Sequence, residues 1–290
     1  MNLLRDLADT LRRHMAHEGY DVTKVHDDDH AALMLYHKMY RYTIEARPRQ
    51  VLKAVGFECP SQHAKGIGLL ENAIQRGDSL NPYRSKGIAT LEARDGLLDY
   101  WGIHHFHLGT KLMEDGFVER TAELLFCLLD DRCAYFIKVA THDSSPWAKK
   151  ELVDAIHINW PEIIRPYLLK DVVGVSPELN DADLAALREA NVMSILKMQD
   201  GTFYLEPGLG NTTGGVHIND LRWADNVSRV AGAVEDQVHR DWQSIVENAK
   251  KLGYQLESTE PLLLANTAPF VYWDIVDPGS GYRFRRYVEN

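Results

Sequence analysis

Two short apolar runs, 122–129 and 133–141, flank Asp130-Asp131-Arg132. Apolar segments of this length, separated by a polar turn signal, read as neighbouring strands of an antiparallel hairpin. Upstream, Ile103-His104-His105-Phe106-His107-Leu108 reads as a third strand of the same meander, reached through Trp101-Gly102. A helix-like run containing His157 and Trp160 closes this central stretch, 83–160. An antiparallel sheet must bury at least one face, so the patterns on either side of it are expected to supply helices.

The flanks meet that expectation. Leu3, Leu4, Leu7, Leu11 and Met15 recur at helical spacing, and Gly19 ends the run. A second, longer helical region is expected over 25–54, with Asp27-Asp28-Asp29-His30 giving a cap and an acidic first turn, until Pro48 kinks or ends it. Residues 66–76 read as a short helix. Ser145 caps a helix that begins with Pro146 and Trp147 and runs to about 159, and Pro161 starts another. After a linker at 174–177, Asn180 caps a helix over 181–190, and Gln199-Asp200-Gly201 joins two strands, 192–197 and 202–205. Residues 208–215 read as a glycine-rich loop, 221–252 as one long amphipathic helix, and 254–258, 270–276 and 282–288 as strands. The fold class is α+β: a helical N-terminal segment, a central antiparallel meander with flanking helices, and a second, smaller α+β unit. The expected domains are 1–172 and 173–290.

Composition narrows the function classes. With 290 residues, 45% of them hydrophobic, the chain can bury a sizeable core. No apolar run approaches membrane-spanning length, the N-terminus reads as an amphipathic helix, and a soluble cytoplasmic protein is expected. Cys59, Cys127 and Cys133 are odd in number and widely spaced, so no disulfide framework or CxxC zinc pair is implied. The net charge of −10 argues against a broad nucleic-acid-coating surface. Between residues 31 and 90, however, nine Lys or Arg face four Asp or Glu, among them Arg41, Arg47, Arg49 and Lys53, a local excess able to face phosphate.

Three histidines in four residues carry the chemistry. Alternation along a strand places His105 and His107 on one face and His104, Phe106 and Leu108 on the other. One reading is a metal site. His-x-His on a strand lets two imidazoles reach one zinc or manganese ion, with His142 (or His157) completing the set of His105 and His107. Such a site would make the protein a metal-dependent hydrolase. A second reading is metal-independent cleavage of RNA with no cofactor, which needs a base, an acid and a cation on the developing charge. A third is a non-catalytic binding or structural protein in which the histidines are packed.

The order of histidine strand, then Arg120-Thr121-Ala122-Glu123-Leu124-Leu125-Phe126, turn, and Ala134-Tyr135-Phe136-Ile137-Lys138-Val139-Ala140-Thr141-His142 resembles the core of RelE/HigB-type ribonuclease toxins over residues 101–142. The resemblance implies an RNA-directed nuclease, toxin-like or related to phage defence. It assigns catalytic or phosphate-binding roles to His104, His105, His107, Arg120 and His142, with Tyr135 and Lys138 as lesser contacts. Arg84 and Lys86, from the basic region upstream, are the further substrate-binding candidates. RNA is then the expected partner.

Overall fold

The segments at 122–129 and 133–141 pair with each other, and the histidine strand pairs with the first of them. In the computed structural model, which describes residues 1–90, 93–141, 149–256 and 263–288, helices α1 (Leu3–His17) and α2 (Asp29–Tyr42) precede strand β1 (Gln50–Lys53). Helices α3 (Ala64–Arg76) and α4 (Gly96–Trp101) precede β2 (Ile103–His107), β3 (Glu123–Leu129) and β4 (Cys133–Thr141). Helices α5 (Glu151–Asn159), α6 (Pro161–Ile164) and α7 (Asp181–Glu189) lead to a hairpin of β5 (Ile195–Lys197) and β6 (Phe203–Leu205). Helices α8 (Ile218–Arg240) and α9 (Trp242–Lys251) are followed by β7 (Leu263–Ala268), β8 (Tyr272–Val276) and β9 (Arg283–Tyr287). The α+β class is as the sequence implies. Among the described residues no helix is long and apolar enough to cross a membrane.

These elements form two units, Tyr42–Ile218 and a second built from Met1–Arg41 with Asn219–Asn290. In the first, the sheet order is β1-β4-β3-β2, with the antiparallel meander extended by β1, which runs parallel to β4. Asp130 makes the central turn by accepting the amides of Arg132 and Cys133 at 2.7 and 2.6 Å. Both faces of the sheet are covered. Ile103, Phe126, Leu128 and Ile137 pack with Trp101 of α4 and Leu152, Val153 and Ile156 of α5. Phe106, Leu125, Cys127 and Phe136 pack with Ile67, Leu70 and Ile74 of α3. A register shift at Phe126/Cys127 lets Ile137 and Val139, two residues apart, reach opposite cores. Asp95 caps α4 by accepting the Leu98 amide at 3.1 Å. Gly102, at φ 71°, ends that helix in a left-handed conformation that a side chain would strain, and so starts β2 immediately after it.

Several sequence expectations change. The helical region expected over 25–54 stops at Tyr42, because residues 50–53 gain a parallel partner in β4. Its acidic start is as read: Asp28 accepts the Ala31 amide at 2.8 Å and Asp29 pairs with Arg12 at 2.9 Å. The long C-terminal helix is two, broken at Asp241. Residues 254–256 form no strand, whereas β7 pairs with β8. The expected cap Ser145 and helix start at Trp147 lie outside the described residues.

The domain division also moves from residue 172. Leu3, Leu7 and Leu11 of α1 share a core with Val227, Val230 and Val234 of α8 and with Trp273 and Ile275 of β8, so the two ends of the chain build one unit. Residues 173–218 belong instead with the meander: Leu184, Leu196, Met198 and Tyr204 join the core around Trp101.

A buried ion pair ties that last segment in. Arg188 donates to Glu206 at 2.7 and 3.0 Å, with side chains only 2% and 0% exposed, and its guanidinium lies 4.2 Å from the Trp101 ring centroid. Ser194 adds a hydrogen bond to the same carboxylate oxygen at 2.9 Å. Removing one partner strands a charge in the core. Arg188→Met should therefore lower the free energy of unfolding by about 3–5 kcal/mol in urea titrations, and adding Glu206→Leu should recover most of it.

Candidate functional site

The histidine strand is placed as alternation requires. Phe106 is fully buried in the core under α3, and His105 and His107 lie on the face shared with Ile103. That face is not solvated, since His107 is only 8% exposed. His105 Nδ1 lies 3.6 Å from Asp95 Oδ2. Burial raises the Asp95 carboxyl above the usual range, against the opposing pull of His105 and the Leu98 amide. The phenol of Tyr42 donates to Asp99 at 3.0 Å and accepts the Asp95 amide at 3.2 Å. The His107 Nδ1 accepts the Thr121 amide at 3.1 Å. The hydroxyl of Thr121 accepts the Leu108 amide and donates to the Glu123 carbonyl, so Thr121 clamps the end of β2 to the start of β3. Arg120 donates to the Arg84 carbonyl at 2.7 Å. Burial, reinforced by the Arg84 guanidinium, pushes the His104 imidazole down to about 3, so it is neutral near neutral pH.

The sequence candidates thus divide. His105 and Arg84 act on Asp95, and His104, on the opposite face of β2, feels the Arg84 charge, while His107 and Arg120 secure the adjoining backbone. Tyr135 is apart from them: it donates to Asp130 at 2.8 Å and meets the Trp160 ring edge-on at 5.0 Å. Lys138 pairs with Glu151 at 3.0 Å, and Lys86 pairs with Asp115 and stands 5.8 Å from the Phe117 ring centroid. The two nitrogens of His157 face Tyr204 Oη and Asp200 Oδ2, each at 3.0 Å. His142 lies outside the described residues. Among the described residues no three or more His, Cys, Asp or Glu side chains stand together as metal ligands.

A second arrangement, in the other unit, was not singled out by the sequence reading. An open cavity of about 830 Å³ is lined by His37, Tyr40 and Arg41 of α2, by Asn219, Arg222, Trp223, Asp225, Asn226 and Arg229 of α8, and by Phe270 of the β7–β8 turn. Behind that lining Asp220, 2% exposed, meets two side chains from α2. His37 Nδ1 is 2.7 Å from Asp220 Oδ1, and Arg41 donates to both carboxylate oxygens at 2.9 and 3.2 Å. His37 and Arg41 are four residues apart, one above the other on a helix face. The His37 ring stacks on Trp223 with centroids 5.2 Å apart. His30, two turns further back, meets Asp225 at 2.9 Å.

This geometry fixes the imidazole. A carboxylate at Nδ1 favours the tautomer protonated there, which leaves Nε2 as the nitrogen that accepts a proton. Arg222 and Arg229 offer positive charge, and Trp223, Phe270 and Tyr40 offer ring faces, with Tyr40 70% exposed. Sequence reading caught Arg41 through the basic excess, but nothing local to Asp220 or Trp223 marks their meeting with a helix about 180 residues away.

No family model matches the chain, and neither the curated proteins nor the solved structures yield a match.

The depressed His104 pKa has a stability consequence. The folded state holds the ring neutral while the unfolded chain protonates it near its ordinary value of 6.5. Stability from this group is therefore complete above about pH 6.5 and is lost as pH falls toward about 3. Urea midpoints measured from pH 7 to pH 4 should fall more steeply for the native protein than for His104→Gln. Parallel curves would show that the ring takes up a proton as readily in the fold as in the unfolded chain.

Proposed function

We propose that the protein is an RNA-directed, metal-independent nuclease whose reacting group is His37, in the cavity between α2 and α8. The observation that carries this reading is the His37 imidazole, held by a buried carboxylate and stacked on Trp223 at the wall of an open cavity that also presents arginines. Single-stranded RNA suits such a lining, because its bases stack on aromatic faces and its phosphates pair with guanidinium groups.

The reaction follows from those parts. His37 Nε2 takes the proton of a ribose 2′-hydroxyl as that oxygen forms a bond to the adjacent phosphorus. The bond from phosphorus to the 5′-oxygen breaks, the departing oxygen takes a proton from water, and a 2′,3′-cyclic phosphate remains. Arg222 and Arg229 offset the charge that builds on the phosphoryl oxygens. Asp220 keeps the ring oriented and supports its cationic form. The local resemblance of residues 101–142 to ribonuclease toxins points to the same substrate but places the chemistry on other residues.

Cleavage of a labelled RNA oligonucleotide should survive EDTA and stop when the cleaved position is 2′-deoxy. His37→Ala should slow it on the order of a hundredfold or more with an unchanged melting curve. An active His37→Ala protein beside an inactive, folded His107→Ala protein would return the reaction to the histidine strand. Loss in EDTA with recovery on adding manganese or zinc would favour a metal-dependent hydrolase.

A further inference from the structure

Strands β8 and β9 pair so that Tyr272 faces Tyr287, Asp274 faces Arg285 and Val276 faces Arg283. Trp273 and Ile275 are fully buried, so by alternation these three pairs share the opposite, outer face of the sheet. Tyr287 is 64% exposed there. Arg285 donates to both oxygens of Asp274, at 2.6 and 2.8 Å, and its guanidinium lies 4.0 Å from the Tyr272 ring centroid. The carboxylate thus holds the guanidinium beside the ring. Strand β9 carries three arginines and no acidic residue. Phe270, two positions before Tyr272, lines the cavity described above.

We infer that this outer sheet face continues the cavity as a platform for single-stranded nucleic acid. Bases stack on Tyr272 and Tyr287, and Arg283 and Arg285 meet the backbone. The inference rests on the reading of the cavity as an RNA site and states where the strand beyond the reacting nucleotide runs. Charge and shape favour this partner. Adjacent aromatic rings with interleaved arginines match a chain of π-faces and phosphates. Every base offers such a face, so binding here is tolerant of sequence.

The test uses the full chain and strands 2′-O-methylated throughout, which cannot form the cyclic product. Anisotropy should show a ten-nucleotide strand binding at least tenfold more tightly than adenosine monophosphate. Tyr287→Ala and Tyr272→Ala should each weaken the ten-mer roughly fivefold to a hundredfold and leave the mononucleotide unchanged. Tyr272→Phe should restore binding, because the ring and not the hydroxyl stacks. Arg283→Gln should reduce the slope of log affinity against log salt by about 0.7, the value for one phosphate on a single strand. Equal affinities for ten-mer and mononucleotide, or tyrosine variants that bind the ten-mer as the native protein does, would overturn the inference and leave the cavity reading intact. Length-dependent binding that needs Tyr287, with no mononucleotide bound and His37→Ala without effect on cleavage, would overturn the cavity reading instead.

Discussion

A single carboxylate holds the α2/α8 unit in register at its cavity. Asp220 is almost completely buried and faces both an imidazole and a guanidinium from α2. A carboxylate so placed is costly unless its oxygens are satisfied, and here one side of one helix satisfies them. The pairing depends on His37 and Arg41 being four residues apart, which aligns them on α2. It also sets the plane of the His37 ring against Trp223. The same contacts that join the helices therefore orient an imidazole at the cavity.

The histidine strand solves a different problem. Both faces of its sheet are covered, so every polar side chain on β2 must find a partner inside the protein. Asp95 serves twice, capping α4 and standing beside His105. Thr121 meets the end of β2 with its amide and its hydroxyl. His105 and His107 thus mark a polar seam on the α4 side of the sheet, and His104, on the other side, stacks near Phe106.

How far the sequence is legible depends on the range of the interaction. The meander, its turn at Asp130 and the side on which Phe106 falls follow from local pattern, because apolar alternation and turn chemistry act over a few residues. The strand at 50–53 was hidden, since four residues after a proline become a strand only when β4 offers them an edge. Residues 1–41 gave no local sign that their apolar face belongs with α8. The cavity was hidden for the same reason: His37 reads as a helix residue and Asp220 as a charge just before a helix until the two helices meet. The histidine motif attracted attention by its density, and density alone does not distinguish a reacting group from a satisfied one.

Building one unit from both ends of the chain imposes an order in time. During synthesis residues 1–41 emerge before 219–290, so Leu3, Leu7 and Leu11 wait for their partners in that later segment. Throughout that interval Tyr42–Ile218 holds all the strands of its own sheet and can fold as they emerge. His37 and Arg41 are present but Asp220 is not, so the pair lacks the carboxylate that joins them to α8. The discontinuous unit acts as a delay, withholding the assembled cavity until translation has passed α8.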